Sequence, residues 1–157
     1  MSSPNVNQLA PSFKLLNQLS EEVTLKQFRG KNIVLYFYPK AMTPGCTTQA
    51  CGIRDHKKNF AKLNTVVLGI SPDEPKKLLK FIEKEKLNFD LLSDVDTEVA
   101  KLYGVWGLKK FMGREYMGIL RTTFIIGADG KLKMILDDVK TKTHHDDVIN
   151  YIKENLA

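Results

Sequence analysis

The run NIVLYFY at residues 32–38 constrains the fold of this chain more than any other segment. After Asn32 it contains only apolar and aromatic residues, and Pro39 follows it directly. A strand with one face in water alternates apolar and polar residues, so an unbroken apolar strand is typical of a sheet covered on both faces. We therefore expect this run to form the central strand of a sheet that is packed between helices.

Other apolar runs alternate with helical patterns along the chain. TVVLGIS at 65–71 and FDLLSD at 89–94 predict two further strands, and the segments 45–63 and 72–87 between the three runs favour helices. The apolar stripe of the second helical segment consists of Leu78, Leu79, Ile82 and, less regularly, Leu87. This βαβαβ alternation indicates parallel pairing in the first part of the sheet.

The C-terminal third has a different pattern. Two extended runs within RTTFIIGADGKLKMIL, residues 121–136, flank a tight Asp-Gly connection at 127–130, which predicts an antiparallel hairpin. The segment 143–156 is an amphipathic helix, with Thr143 as its N-cap and Asp146 at the capping-box position. We expect a single domain over residues 1–157, of the α/β class, with a central mixed β-sheet flanked by helices on both faces.

Charge and composition exclude some classes of function. The chain has 157 residues, 43% of them hydrophobic, which suffices for one substantial core. Its net charge is +6, but the lysines at 76–86 and 108–111 are scattered among glutamates and apolar residues. Such spacing is typical of solvated surfaces, so we expect no nucleic-acid partner.

The N-terminal segment at residues 1–13 has no basic stretch followed by an apolar one. No part of the chain approaches the roughly 20 apolar residues that a membrane-spanning helix needs. We therefore expect a soluble cytoplasmic protein with no membrane partner.

Both cysteines lie just behind the central strand, in TPGCTTQAC at residues 43–51. A strand, a short loop at 40–45 and a following helix place Cys46 in the first helical turn. Free backbone N–H groups and the helix dipole favour a thiolate there. Thr43 offers a hydroxyl that can donate to and accept from a bound oxygen species. The alternative is a buried, inert Cys46, because free cysteines are among the most buried residues.

The spacing between Cys46 and Cys51 limits what the pair can do. Five residues along one helix separate the Cα atoms by about 8.6 Å, whereas a disulfide needs less than about 7 Å. The pair can remain as two thiols in an intact helix and join only where its first turns unwind. The spacing disfavours a C-x-x-C dithiol site.

A metal site would need the histidines. A structural zinc site usually takes four ligands, and the candidates are His56, His144 and His145 together with carboxylates. The sequence does not pair these residues at ligand spacing. Because His144 and His145 open the last helix, solvent exposure is their simplest explanation. We expect no metal and no cofactor.

The string YFYPKAMTPGCTTQACGIRD, residues 36–55, resembles the active-site segment of the peroxiredoxins, specifically of the bacterioferritin comigratory protein or peroxiredoxin Q group. The family pattern P-x-x-x-T/S-x-x-C falls on Pro39, Thr43 and Cys46, and the second cysteine of the group falls on Cys51. The blocks APSFKL, QFRGKNIVLYFYP, VLGISPD, LLSD, YGVWG and GILRTTFIIGADGKL resemble group blocks in the same order. The resemblance thus covers nearly the whole chain.

This resemblance implies a thioredoxin-like fold and an antioxidant thiol peroxidase that reduces hydrogen peroxide and organic hydroperoxides. It implies that Cys46 is the peroxidatic cysteine, that Thr43 positions the peroxide, that Pro39 shields the sulfur and that Arg121 holds the charge of the site. It also implies that Cys51 resolves the sulfenic acid as an intramolecular disulfide, which thioredoxin or glutaredoxin then reduces. Since such resolution needs no partner subunit, we expect a monomer.

The residues alone leave alternatives open. Arg121 could be a surface charge on an edge strand, and Pro39 could be only a strand terminator. A thiol-disulfide oxidoreductase without peroxide reactivity and a thioredoxin-like binding or chaperone module with a basic face are the competing functions. The chain also departs from the commonest pattern of the group, which has carboxylates at the positions of Ala41 and Gln49, and we assign neither residue a part in the chemistry.

Overall fold

A seven-stranded mixed sheet is the centre of the computed structural model, which describes residues 4–156. Its strands are β1 (Lys14–Asn17), β2 (Glu22–Thr24), β3 (Asn32–Phe37), β4 (Thr65–Ser71), β5 (Leu91–Ser93), β8 (Thr122–Ile126) and β9 (Leu132–Leu136), and a separate two-stranded sheet consists of β6 (Trp106–Phe111) and β7 (Arg114–Ile119). The helices are α1 (Pro44–Asp55), α2 (Lys57–Lys62), α3 (Pro75–Glu85), α4 (Glu98–Leu102) and α5 (His144–Asn155), with a 3₁₀ turn at Leu25–Phe28. Residues 1–3 and Ala157 lie outside the described residues. The first three belong to the N-terminal segment in which we expect no export signal.

The strand order in the large sheet is β2-β1-β5-β4-β3-β8-β9. β3 pairs in parallel with β4 and antiparallel with β8, and β4 pairs in parallel with β5. The predicted hairpin is the antiparallel pair β8–β9. The mixed sheet expected from the sequence is confirmed.

β3 divides the core into two layers, and all six of its residues are buried. Val34 and Tyr36 pack into the layer formed with α1, α3 and α5, whereas Leu35 and Phe37 pack into the layer that includes α4. Each layer removes one face of β3 from water, which explains why this strand has no polar alternation.

Several local predictions need correction. The strand predicted at 89–94 is limited to Leu91–Ser93. In α3 the fully buried residues are Leu78 and Phe81, whereas Leu79 and Ile82 are only partly buried. The strands β1 and β2 and the hairpin β6–β7 were not predicted. None of the helices within residues 4–156 has the length and apolarity needed to span a membrane.

The start of α5 also differs from the prediction. Thr143 is the N-cap residue, but its hydroxyl donates to the carboxylate of Asp147 at 3.0 Å and makes no bond to a first-turn amide. Asp146 instead lies 3.5 Å from His145 Nε2. The capping box assigned to Thr143 and Asp146 is therefore wrong.

Candidate active site

The loop between β3 and α1 brings the predicted site residues to the C-terminal edge of the central strand. The backbone N–H of Ala41 donates to Asp73 Oδ2 at 2.7 Å, and Ser71 Oγ donates to the same oxygen at 2.8 Å. Met42 has a φ of 66°, a left-handed conformation that costs a non-glycine residue of order 1 kcal/mol. The bond from Ala41 to Asp73 holds the loop in a conformation that includes this strained residue. Pro39 is partly buried in the same loop.

Helix α1 begins at Pro44, so Cys46 lies in its first turn. Thr43 is the N-cap residue, but its hydroxyl makes no capping bond and donates instead to the carbonyl oxygen of Lys40 at 2.9 Å. The N–H groups of the first helical turn have no intrahelical acceptor. Those of Gly45 and Cys46 can therefore stabilise a negative charge at the helix start.

Arg121 contacts the sulfur of Cys46 directly. Its Nη2 donates to Cys46 Sγ at 3.3 Å, and Cys46 is only 1% exposed. The antiparallel pairing of Phe37 with Thr122 places Arg121, one residue before β8, beside the end of β3. A fixed cation is thus within hydrogen-bond distance of a sulfur at a helix N-terminus, and the interpretation of Arg121 as an edge-strand surface charge does not hold.

Gln49 holds the other arm of the guanidinium. Gln49 is completely buried, and its Oε1 accepts from Arg121 Nη1 at 2.6 Å. Its Nε2 lies 3.3 Å from His144 Nδ1, and His144 Nε2 lies 2.7 Å from Thr123 Oγ1. Gln49 and His144 therefore connect Arg121 to the centre of the sheet.

The donors and acceptors along this series of hydrogen bonds determine the tautomer of His144. Arginine can only donate, so the Gln49 oxygen faces Arg121 and its amide nitrogen donates to Nδ1 of His144. The proton of the neutral ring is then on Nε2, which donates to Thr123 Oγ1. Burial, and then the electrostatic influence of His145 and Arg121, lower the pKa of His144 to about 3, so the ring is neutral at physiological pH.

This network contains two residues that the sequence interpretation missed. The expected solvent exposure of His144 is wrong, because its exposure is 1%, and His145 is mostly buried as well. Gln49, to which we assigned no role, touches the guanidinium that contacts Cys46. Gln49 and His144 are 95 positions apart in the sequence, and no local pattern could have joined them.

Cys51 lies on the same continuous helix as Cys46, and both are free thiols. Its Sγ donates to Glu85 Oε1 at 3.7 Å. Burial raises the pKa of the Cys51 thiol most, the carboxylates of Glu85 and Asp55 raise it further, and Arg54 lowers it. The raised pKa keeps Cys51 as a protonated thiol. In an ideal helix its Cα atom lies about 8.6 Å from that of Cys46.

Lys109 in β6 is a second cation close to Cys46. Burial and the charge of Arg121 lower the pKa of its amine, and Cys46 raises it, so Lys109 is within electrostatic reach of both. No sequence pattern marks Lys109 as a site residue, because the hairpin that carries it was not predicted.

Comparisons with known proteins agree with this geometry. The AhpC/TSA family model matches residues 6–135 of the chain. The chain is 56% identical over 153 residues to a Haemophilus influenzae protein named bcp, covering 98% of this chain and 99% of the relative. It is 52% identical over 155 residues to peroxiredoxin Bcp of Escherichia coli K12, covering 99% of each. Among solved structures, a cysteine-to-serine mutant of PrxQ from Xylella fastidiosa superimposes with a TM-score of 0.93 at 30% identity, covering 100% of both chains.

Proposed function

The chain belongs to the AhpC/TSA family and is a peroxidase of the Bcp or peroxiredoxin Q group, and from this premise we propose that Cys46 is its peroxidatic cysteine and Cys51 its resolving cysteine. The observation that carries the proposal is the Cys46 sulfur in the first turn of α1, 3.3 Å from the guanidinium of Arg121. We assign this chemistry to one domain, residues 1–157, that acts as a monomer.

In the first step the Cys46 thiolate attacks the terminal oxygen of a hydroperoxide. The S–O bond forms as the O–O bond breaks, the leaving oxygen takes up a proton and departs as water or an alcohol, and Cys46 becomes a sulfenic acid. Negative charge moves from sulfur to oxygen during this step. Arg121 and the free amides of the first helical turn are placed to stabilise that charge.

Two further residues support the first step in this proposal. Thr43 would rotate its hydroxyl from the Lys40 carbonyl to the bound peroxide, where it can both donate and accept. Pro39, partly buried beside the loop, would limit the access of water to the sulfur.

In the second step Cys51 attacks the sulfenic sulfur, a disulfide forms and water leaves. Because α1 holds the two cysteines too far apart for a disulfide, the helix start must unwind first. Thr47, Thr48 and Gly45 have low helix propensity, which favours unwinding. Unwinding also separates Cys51 from Glu85, whose carboxylate raises its pKa, and this increases the fraction of reactive thiolate.

The disulfide is then reduced by a dithiol partner, for which we propose thioredoxin or glutaredoxin. The cysteines are the only two in the chain, and both are free. A reducing compartment keeps such a pair available for a catalytic cycle, so we place the activity in the cytoplasm.

Peroxide consumption coupled to thioredoxin, thioredoxin reductase and NADPH tests these assignments. Cys46→Ser should consume no peroxide. Cys51→Ser should consume about one equivalent per chain and then stop, because its sulfenic acid has no internal thiol to meet. Peroxide consumption by Cys46→Ser would refute the first assignment, and wild-type turnover by Cys51→Ser would refute the second.

A further inference from the structure

A cluster of potential metal ligands lies outside the peroxidase site, where the C-terminal end of α1 meets the start of α5. It consists of His56, which caps α1, and His145 and Asp146 in the first turn of α5. One ligand atom from each of the three lies within 4.8 Å of the others. His56 and His145 are 89 positions apart in the sequence, so only the fold brings them together.

The imidazole of His56 carries its proton on the nitrogen that faces away from the cluster. Its Nδ1 lies 2.8 Å from the carbonyl oxygen of Gly52, and because a carbonyl only accepts, Nδ1 carries the proton. In the neutral ring the lone pair is then on Nε2. A backbone carbonyl that fixes the tautomer and the ring orientation in this way is the usual partner of a ligating histidine.

His145 is packed against the same turn of α1. The two imidazole rings stack with centroids 4.3 Å apart and an interplanar angle of 26°. His145 Nδ1 is buried and has no hydrogen-bond partner among residues 4–156, while its Nε2 lies 3.5 Å from Asp146 Oδ2. His145 Nδ1 faces Gly52 across the contact between α1 and α5, so Nε2, beside Asp146, is the nitrogen of this ring that can bind an ion.

Gly52 makes this approach of the two helices possible. A Cβ atom at residue 52 would overlap the His145 ring. Glycine inside a helix costs about 1 kcal/mol relative to alanine, so the chain accepts a weaker helix where the imidazoles meet.

We propose that His56, His145 and Asp146 bind a divalent transition-metal ion of the zinc class. Two imidazole nitrogens and one carboxylate oxygen, with water in the fourth position, form the set that Zn²⁺ takes when three protein ligands hold it. Imidazole ligands favour Zn²⁺ over Mg²⁺ and Ca²⁺, which prefer oxygen. Bonds of about 2.0–2.2 Å require the three ligand atoms to converge. Because imidazole lone pairs lie in the ring plane, the His56 ring must turn out of its stack with His145, and the exposed side chain of Asp146 must move toward both rings.

The ion would join the end of α1 to the start of α5. This consequence rests on the proposed function, because α1 must open for Cys51 to reach Cys46. Cys51 directly precedes Gly52, where His145 packs against α1, so unwinding that frees Cys51 disturbs the contact that the ion would hold. An ion that binds only the closed arrangement lowers the open population by the factor 1 + [Zn²⁺]/Kd, about 100-fold when free zinc is 100 times Kd. Zinc would then slow disulfide formation without slowing sulfenic acid formation.

Titration with Zn²⁺ against a chromophoric chelator tests the site itself. The full-length Cys46→Ser/Cys51→Ser variant is used, so that no thiol can ligate the metal. We expect one Zn²⁺ per chain, and affinity at least about tenfold weaker when His56→Asn, His145→Asn or Asp146→Asn is added. The matched control is Asp147→Asn, the exposed neighbouring carboxylate in the same helical turn, which should leave affinity unchanged.

The substitution at the exposed Asp146 decides the test even if a histidine variant fails to fold. Equal zinc affinity in Asp146→Asn and Asp147→Asn, or no stoichiometric binding, would overturn the site. The effect on resolution is measured separately, as the rate of disulfide formation in reduced protein with both cysteines present. If zinc slows that rate equally with and without Asp146→Asn, the metal acts through the thiols and the proposed link between α1 and α5 is wrong.

Discussion

Replacing Arg121 by methionine removes the guanidinium that lies 3.3 Å from the Cys46 sulfur while keeping a side chain of similar length. The attraction between unit charges at that distance is about 5 kcal/mol at an effective dielectric constant near 20 and about 1 kcal/mol in bulk water. Removing one donor from a site where negative charge develops costs about 10² to 10³ in rate, or about 3–4 kcal/mol. This loss of about 3–4 kcal/mol lies between the charge–charge energies for the two dielectric constants. We therefore expect Arg121→Met to form sulfenic acid about 10²-fold more slowly.

The assay is a stopped-flow measurement of the second-order rate constant of reduced protein with hydrogen peroxide. Arg121→Lys is the matched control for charge, because lysine keeps the cation but cannot reach Gln49 Oε1 and Cys46 Sγ with two fixed arms. It should fall between wild type and Arg121→Met. A rate constant for Arg121→Met within threefold of wild type, in a protein with unchanged circular dichroism, would refute the role of Arg121.

Three further predictions follow from the surroundings of the two cysteines. Glu85→Gln removes the charged acceptor that the Cys51 thiol meets only while α1 is folded, so unwinding should cost less and disulfide formation should be about threefold faster at neutral pH. The reaction is quenched and followed by mass spectrometry, and an unchanged or slower rate would contradict this. Burial lowers the pKa of His144 to about 3 in the folded protein, whereas the pKa of an unfolded histidine is about 6.5. Between these two pH values only the unfolded state takes up a proton at His144. The free energy of unfolding therefore falls by up to about 1.4 kcal/mol per pH unit as the pH drops from about 6.5 toward 3. Urea unfolding at pH 7, 5 and 4 should show this loss relative to His144→Gln, and a wild-type advantage that does not change with pH would exclude it. Gly52→Ala places a Cβ against the His145 ring and should lower the free energy of unfolding by about 1–3 kcal/mol despite alanine's better helix propensity, whereas a more stable variant would show that the two helices do not approach so closely.

The central part of the fold was predictable because burial leaves a strong signal in the sequence. β3 has no polar residue after Asn32 except the aromatic Tyr36, β4 has none between Thr65 and Ser71, and each strand lies inside the sheet. The short strand β1 and its neighbour β2 are partly exposed, with few buried residues to form a pattern. In such short segments neither the apolar run nor the alternation is long enough to predict a strand.

The hairpin β6–β7 was missed for a different reason. Its two strands are joined by Met112 and Gly113, both with positive φ, as a type I′ turn requires. Asn-Gly or Asp-Gly usually marks such a turn, and methionine at the first position hides it. Most side chains in β7 are exposed, so no apolar face marks the strand either.

Residue patterns alone predicted only the part of the candidate site that is close in sequence, and Arg121 was assigned to it through the family resemblance. Thr43, Cys46 and Cys51 fall within one motif, and the turn before α1 determines where they lie. Gln49 and His144 belong to the site through a chain of buried hydrogen bonds that crosses from α1 to α5. A buried glutamine and an exposed one look the same in a sequence, so their pairing needed the tertiary structure.

The central claim is that Cys46 reacts with peroxide and that Cys51 then resolves the product within the same chain. The most direct test adds one equivalent of hydrogen peroxide to fully reduced protein for a few seconds, followed by intact mass measurement and non-reducing peptide mapping. We expect the loss of two hydrogens and a Cys46–Cys51 linkage. A stable gain of one oxygen would remove Cys51 from the cycle, and an unchanged mass would contradict the peroxidase chemistry assigned to Cys46.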